Sequence, residues 1–231
     1  MRRGLLLLLL VAVAVLAGPA AARAGNDLHA VVLPAAGSLA VDSVAARAEP
    51  APRSKRMLVL RQFRSDFRWQ IVLAVGATRG GDGRLWYRLS LPMRPNGSYG
   101  WVPARAVDLH PVRNRIVVDR ARRQLTVLRG GTTLLRTTIA VGAPGMETPA
   151  GRFYVQARFV PDNSFLGVFA LETSAYSRLS EWPGGGVVGI HGTSRPDLLG
   201  QAVSHGCIRV SNAAAAELRR LAPLGTPISV V

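Results

Sequence analysis

The sequence predicts a mainly β protein, with a small N-terminal β domain and a larger β-rich C-terminal domain. Short apolar runs separated by turns that contain glycine or proline fill most of the chain after residue 55. Only residues 211–221 have the pattern of a helix, with a capping serine, an alanine run and arginines in the last turn. His110 falls between the two groups of strands, so we expect it in the hinge and predict the domains at residues 55–110 and 112–231.

In the small domain, strands are predicted at residues 57–60, 70–75, 85–89 and 100–103. The order Trp-Tyr-Arg-Leu, turn, Gly-Trp-Val-Pro within these runs resembles bacterial SH3-like domains, which implies an SH3-like β-barrel that binds the cell wall. Trp86, Tyr87 and Trp101 suit either a face that stacks on sugars or the core of a small barrel. The core interpretation is favoured, because such aromatic residues more often pack inside.

The larger domain is predicted to hold seven strands, one helix and a closing strand. The predicted strands are 115–118, 124–129, 133–141, 151–157, 166–171, 187–191, 206–210 and, after the helix, 228–231. Residues 159–186 are predicted as a long loop of the kind that covers an active site, with Tyr176 and Trp182 at the border of a substrate cleft.

The N-terminus has the three parts of a secretory signal peptide: Arg2 and Arg3, an apolar run at 5–17 and an A-x-A cleavage pattern at 22–24. We therefore predict a signal peptide over residues 1–24 and export to the periplasmic space or cell wall. An uncleaved N-terminal membrane anchor is the alternative, since residues 18–22 are also uncharged. Residues 25–54 are rich in alanine, proline, serine and glycine and are predicted to be a flexible linker.

The chain has 29 Lys and Arg residues against 13 Asp and Glu residues, a formal net charge of +16. The arginines are scattered and aromatic residues are few, so no nucleic-acid partner is expected. In an exported protein, such a basic surface favours anionic wall polymers and substrate carboxylates.

Cys207 is the single cysteine, so it has no internal disulfide partner. A free cysteine is often a small buried hydrophobe, but the neighbours here are serine, histidine and glycine. In an extended segment His205 and Cys207 share a face, and a histidine in contact with a thiol can accept its proton. The residues alone leave a structural cysteine and a cysteine nucleophile both open.

Two sets of segments form a pattern around this cysteine. The nearer set is His191-Gly192-Thr193, a gap of ten residues, Ser204-His205-Gly206-Cys207-Ile208-Arg209 and Asn212. The upstream set is 116–119 with 124–128, and Val141-Gly142 with Thr148-Pro149-Ala150-Gly151-Arg152-Phe153. Together they resemble the L,D-transpeptidase catalytic domain (YkuD-type) of bacterial cell walls. Ala150 departs from the second threonine that is usual in that family.

The resemblance implies roles for these residues. His191 is the base that takes the proton of Cys207, the backbone carbonyl of Gly192 orients its ring, and the thiolate attacks a carbonyl to form a thioester. The residues assigned to the oxyanion or to lining the site are His205, Gly206, Ser204 and Arg209, and Thr193 is assigned to the cleft. We also expect Cys207 to be largely thiolate at neutral pH. No cofactor and no metal are expected, because a fourth zinc ligand is missing and the family uses none.

The resulting hypothesis is an exported, monomeric peptidoglycan L,D-transpeptidase that acts on stem peptides and is inhibited covalently by carbapenem β-lactams. One alternative is a cysteine hydrolase of the L,D-carboxypeptidase type, in which water resolves the acyl-enzyme. Another is a non-catalytic cell-wall-binding protein. The sequence does not separate the two enzymes, because acceptor choice depends on cleft shape.

Overall fold

The computed structural model describes residues 30–181 and 185–231. The predicted signal peptide and Trp182 therefore lie outside the described residues. Within the described ranges, no helix has both the length and the apolar character needed to cross a membrane.

The N-terminal domain is a sheet of seven strands in the order β3-β2-β6-β5-β4-β1-β7. The strands are β1 Ala35–Leu39, β2 Ser43–Arg47, β3 Arg56–Arg61, β4 Val72–Arg79, β5 Leu85–Ser90, β6 Tyr99–Pro103 and β7 Val107–Pro111, with a short 3-10 helix at Ala104–Ala106. The four strands predicted from the sequence overlap β3 to β6. Trp86 and Tyr87 are buried and Trp101 is half-buried. The first two therefore pack in the core of the domain, the interpretation favoured from the sequence. The SH3-like assignment stays a prediction.

The flexible linker expected at residues 25–54 is wrong for its described part, because β1 and β2 lie inside it. β1 pairs with both β4 and β7, which makes it an internal strand of the sheet. Its small residues allow close strand approach: a Cβ on Gly37 would lie 1.8 Å from the carbonyl oxygen of Asp108. The alanine and glycine residues of β1, whose composition suggested a linker, are small because the neighbouring strands pack closely against them.

The C-terminal domain has an eight-stranded sheet in the order β10-β9-β8-β17-β12-β13-β14-β16 and a separate pair, β11 with β15. The strands are β8 Asn114–Asp119, β9 Gln124–Arg129, β10 Thr132–Thr138, β11 Val141–Gly142, β12 Gly151–Phe159, β13 Ala170–Tyr176, β14 Val187–His191, β15 Ala202–Ser204, β16 Ile208–Arg209 and β17 Pro227–Val230. Short 3-10 helices lie at Ser164–Leu166 and Pro196–Leu198. The mainly β fold predicted from the sequence is confirmed.

The predicted helix is confirmed as α1, Asn212–Leu221. The Ser211 hydroxyl accepts the N–H of Ala214 at 3.1 Å, which caps the first turn. Ala214, Ala215, Leu218 and Leu221 are buried in the domain core, so one face of the helix holds it in place.

Residues 159–186 do not form one long loop, because strand β13 runs through them. The prediction placed a strand at 166–171, but the strand covers Ala170–Tyr176. Its polar residues suggest a loop, yet Thr173 and Ser174 are buried and bonded. Thr173 donates to the carbonyl of Val188 at 2.7 Å, and Ser174 accepts the N–H of Tyr154 at 3.1 Å.

The two domains pack directly against each other. Tyr154 of β12 is fully buried, and its hydroxyl donates to the carbonyl of Ile71 at 3.1 Å. Asn96 makes two hydrogen bonds to the backbone of Tyr176, at 2.8 and 3.0 Å. These contacts fix the N-terminal domain beside β13, the strand that borders the candidate site.

Candidate active site

Cys207 lies in the turn between β15 and β16. Ser204 holds this turn from within: its hydroxyl accepts the N–H of Gly206 at 3.1 Å and donates to the carbonyl of Cys207 at 2.5 Å. Gly206 has a φ of +113°, a conformation that side chains disfavour, so a glycine is required there. The Gly206 N–H, assigned from the sequence to an oxyanion, is thus already bonded to Ser204.

Thr148 holds the same turn from outside. Its buried hydroxyl donates to the carbonyl of Gly206 at 2.9 Å and accepts the N–H of Gly142 at 2.9 Å. Sequence reasoning recorded this threonine only as part of the Thr-Pro-Ala-Gly segment and missed its function. The Thr-Pro-Ala-Gly segment pointed to this threonine. Its hydrogen-bond partner Gly206, however, is 58 residues away in the sequence and comes close only in the folded chain.

His191 is the last residue of β14 and is buried. Its Nδ1 lies 2.6 Å from the carbonyl oxygen of Gly192, the partner implied by the resemblance. A carbonyl only accepts, so Nδ1 carries the proton in the neutral ring and Nε2 is left with a lone pair.

Gly189 lies close to both the Cys207 thiol and the His191 imidazole. Its backbone N–H donates to the Cys207 sulfur at 3.3 Å. A Cβ built on Gly189 would lie 3.8 Å from both the Cys207 Sγ and the His191 Cδ2. The two side chains therefore share the space above one glycine, a residue that sequence reasoning did not single out.

Asn212 fixes the backbone that follows His191. Its Oδ1 accepts the N–H of Thr193 at 3.2 Å and that of Val168 at 3.3 Å. This oxygen lies 2.3 Å from where a Cβ of Gly192 would be, so only glycine fits beside it. Thr193 is buried in this turn and accepts the N–H of Arg195, so it acts as scaffold and does not line the cleft.

Burial acts on the pKa values of the pair in opposite directions. It raises the pKa of the Cys207 thiol, against the lowering influence of the Gly189 N–H and the Arg209 charge. It lowers the pKa of His191, against the raising influence of the Gly192 carbonyl. Both shifts favour a neutral thiol beside a neutral imidazole. Both directions are opposite to the expectation of a largely ionised thiol at neutral pH, which stays a prediction.

Arg209 supplies the positive charge of the site. It is buried on β16, with its guanidinium 5.0 Å from the centroid of the Phe165 ring, and that ring lies 6.3 Å from the imidazole of His191. Its Nε has no hydrogen-bond partner among the described residues. The charge favours a thiolate on Cys207 and disfavours a protonated His191.

An open cleft of about 820 Å³ leads to the pair. It is lined by His191, Cys207, Gly189, Glu172, Phe165 and, from the N-terminal domain, Arg64 to Asp66. His205 is exposed and outside this lining. Tyr176 is also outside it: its hydroxyl donates to the carbonyl of Pro92 at 3.2 Å, and it lines a smaller neighbouring cleft of about 360 Å³.

A thiol, a neutral imidazole and an open cleft are the parts that a cysteine-dependent acyl-transfer enzyme requires. The model of the YkuD L,D-transpeptidase catalytic domain matches residues 113–230. The chain belongs to this family.

Named relatives agree with that assignment. The protein named "Putative L,D-transpeptidase YkuD" in Bacillus subtilis is 31% identical over 53% of this chain and 69% of its own length. The protein of the same name in Bacillus licheniformis is 33% identical over 64% of this chain and 88% of its own length. Among solved structures, the catalytic domain of an E. faecium L,D-transpeptidase is 26% identical, with a TM-score of 0.41, over 51% of this chain and 96% of that one.

Proposed function

We propose that this chain is an exported peptidoglycan L,D-transpeptidase that forms cross-links through a thioester on Cys207. The observation that carries the proposal is that the Cys207 sulfur and the His191 ring both lie 3.8 Å from the position of a Cβ on Gly189 and line the same open cleft. Membership of the L,D-transpeptidase family supports the reaction class.

The first half-reaction starts from the neutral pair. The lone pair on His191 Nε2 takes the thiol proton while the sulfur attacks the carbonyl carbon of the donor peptide. The C–S bond forms and the carbonyl oxygen becomes an oxyanion. His191 then returns the proton to the departing amine, the C–N bond breaks and a thioester remains.

The oxyanion needs a donor other than Gly206, whose N–H is bonded to Ser204. The backbone N–H of Cys207 has no acceptor among the described residues, and we assign it this role. Arg209 adds a buried positive charge nearby, which stabilises both the thiolate and the oxyanion.

The second half-reaction depends on what enters the cleft. An amine of a second stem peptide attacks the thioester carbon and His191 takes its proton. The C–S bond then breaks to give a cross-link, and His191 returns the proton to the Cys207 sulfur. Water in place of the amine would give a trimmed stem, the carboxypeptidase outcome.

Export is proposed from the signal-peptide pattern of residues 1–24, and the basic composition suits anionic wall polymers. A carbapenem presents a strained cyclic amide to the same thiol, so it is proposed as a covalent inhibitor.

The test is the intact mass of the protein after incubation with a carbapenem, followed by product analysis with a tetrapeptide-stem muropeptide. We expect one covalent adduct, absent from Cys207→Ala, and muropeptide dimers as the main product. An adduct that persists in Cys207→Ala would overturn the assigned nucleophile. Trimmed monomers without dimers would instead identify a carboxypeptidase.

A further inference from the structure

Two adjoining clefts open on the surface of the N-terminal domain. Their volumes are about 280 Å³ and about 180 Å³. Arg84, Pro103 and Arg105 border both clefts, so we describe the two together as the arginine groove. None of the residues that line the arginine groove also lines the catalytic cleft. The groove is therefore separate from the site of the proposed reaction.

The wall of the arginine groove is basic. Four arginines line it, and they come from the end of β2, the β4–β5 hairpin and the 3-10 helix after β6: Arg47, Arg79, Arg84 and Arg105. No acidic residue is among the described residues that line it. Positive charges gathered around a concave surface attract a ligand that carries several negative charges.

Two of these arginines have donor groups available for such a ligand. Arg105 is exposed between Ala104 and Ala106, which are both buried and fix its backbone. Its guanidinium has no hydrogen bond and no ion pair within the described part of the chain. The Nε of Arg84 lies 3.9 Å from Asp82 Oδ2, too long for a hydrogen bond. Both guanidinium groups can therefore bind anionic oxygens.

The sheet places a further positive charge next to the groove at a cost in stability. Arg47 is directly opposite Arg56 of β3, and like charges in this position are destabilising. Arg47 donates from Nη1 to the carbonyl of Ser54 at 2.7 Å, a neutral partner. Neither arginine has an acidic partner among the described residues. A bound anion would offset their repulsion.

The rest of the lining indicates which kind of anion fits. Leu85, Pro103 and Ala104 add small or apolar surface. Trp86 is the aromatic residue of the lining, but it is only 2% exposed, and its Nε1 lies 3.4 Å from Asp82 Oδ1. No ring face is open here for a nucleic-acid base to stack on. The small volume of each cleft admits a thin chain, whereas a flat membrane surface would stay outside.

A phosphodiester has two anionic oxygens that match the fork of an arginine side chain. A linear polymer of phosphodiesters could meet Arg84 and Arg105, which border both clefts, and Arg47 in the smaller cleft. We propose that the arginine groove binds a flexible phosphodiester polymer without bases, of the polyol-phosphate type. This inference goes beyond the proposed function, because it gives the N-terminal domain a ligand of its own and uses no step of the acyl transfer.

The test measures binding of fluorescently labelled poly(glycerol phosphate) to the full chain by fluorescence anisotropy. The affinity should fall as the salt concentration rises, because the arginines displace counterions from the polymer. The double variant Arg84→Gln with Arg105→Gln should bind at least about tenfold more weakly, as expected for the loss of charge-assisted bonds. Absence of binding to the wild-type chain would overturn the inference.

The matched control is the double variant Arg61→Gln with Arg136→Gln, which removes the same amount of charge. Both arginines are exposed and neither lines the arginine groove. The control should weaken binding by less than about threefold, since it changes only the net charge. Equal losses in the two double variants would mean attraction to net charge alone and would refute the site.

Two comparison ligands separate the phosphodiester polymer from other sources of phosphate. They are oligothymidylate of equal charge and vesicles of phosphatidylglycerol with phosphatidylcholine. The affinity lost in the variant of Arg84 and Arg105 should be largest for poly(glycerol phosphate). A larger loss for oligothymidylate would identify a nucleic-acid site instead, and a larger loss for the vesicles would identify a membrane-binding surface.

A further measurement needs only the wild-type chain, so it stands even if a variant unfolds. Phenylglyoxal modifies accessible arginines, and peptide mass mapping identifies them. The polymer should protect Arg84 and Arg105 and leave Arg61 and Arg136 reactive, whereas equal reactivity of all four would contradict the site. Carbapenem acylation of Cys207 should keep its wild-type rate in the variant of Arg84 and Arg105, because neither lines the catalytic cleft. Failure of acylation in the wild-type chain would refute the proposed function alone.

Discussion

Burial raises the pKa of the Cys207 thiol and lowers the pKa of His191, which favours the neutral form of both groups. An ion pair formed before substrate binds is opposed by burial, which disfavours the charged form of both groups. Proton transfer from the thiol is therefore expected to accompany attack on the substrate carbonyl. Arg209 then matters most when negative charge develops, first on sulfur and next on the oxyanion.

The resting state of the thiol can be measured by alkylation with iodoacetamide across the neutral and alkaline pH range. Because burial raises its pKa, the midpoint for Cys207 should lie above the ordinary thiol value of about 8.5. Arg209→Gln should move the midpoint higher still, since the arginine charge lowers this pKa. A midpoint below the ordinary value, with fast reaction at neutral pH, would mean a preformed ion pair.

The two histidines of the motif should differ in their effect on acylation. His191→Ala removes the proposed base and should slow carbapenem acylation by about a hundredfold or more. His205→Ala should slow it by less than about tenfold, because His205 is exposed and outside the cleft lining. The measurement is the rate of adduct formation by intact mass. A larger effect for His205 than for His191 would reverse the assignment of the base.

At the scale of elements, the site is a junction of three segments held by buried polar bonds. Thr148 joins β11 to the Cys207 turn, Ser204 closes that turn, and Asn212 at the start of α1 holds the turn after β14. The β14–β16 pairing, with Ile190 opposite Ile208, brings His191 at the end of β14 close to the turn that carries Cys207. The position of the thiol thus depends on bonds that are distant in sequence.

Thr148→Val tests this junction while keeping the shape of the side chain. It leaves the Gly142 N–H and the Gly206 carbonyl without their partner, so the free energy of unfolding should fall by about 2–4 kcal/mol. Acylation should also slow, because the turn that carries Cys207 loses an anchor. Thr148→Ser, which keeps the hydroxyl, is the control. Urea unfolding and adduct formation measure the two effects, and equal behaviour of both variants would show that the hydroxyl is not an anchor.

Sequence reasoning predicted most strands of both domains because apolar alternation and turn residues are local signals. It missed β1 and β2, where small residues serve close packing, and it placed β13 too early because Thr173 and Ser174 are polar but bonded inside. For the site, the motif predicted which side chains to consider. Gly189 and the bond partner of Thr148 could not be predicted, since they act through contacts that only the folded chain creates.

For the whole molecule, the N-terminal domain is joined to the catalytic domain by a buried contact and by the ion pairs of Arg64 and Arg68 with Glu172. Tyr154 packs with Ala36, Ile71 and Leu73, and complete burial raises the pKa of its phenol. Asn96 and Arg94 bind the backbone around Tyr176 and Ser177. The cleft is consequently shared between the domains, and a wall-binding module on an independent tether does not fit this packing.

The domain boundary predicted at residue 55 can be tested with two truncated chains, one starting at residue 30 and one at residue 55. The shorter chain lacks β1 and β2, and β1 separates β4 from β7 in the sheet. It also lacks the buried residues Ala35, Leu39 and Ala46, as well as Ala36 at the domain contact. Loss of this burial should cost more than about 4 kcal/mol and lower the midpoint of thermal unfolding by more than about 8 °C. The loop at residues 62–71 joins β3 to β4 of the same sheet and lines the cleft through Arg64 to Asp66. Carbapenem acylation should therefore fall in the chain that starts at residue 55 and be retained in the chain that starts at residue 30. Equal thermal midpoints for the two chains would restore the linker interpretation of residues 30–54.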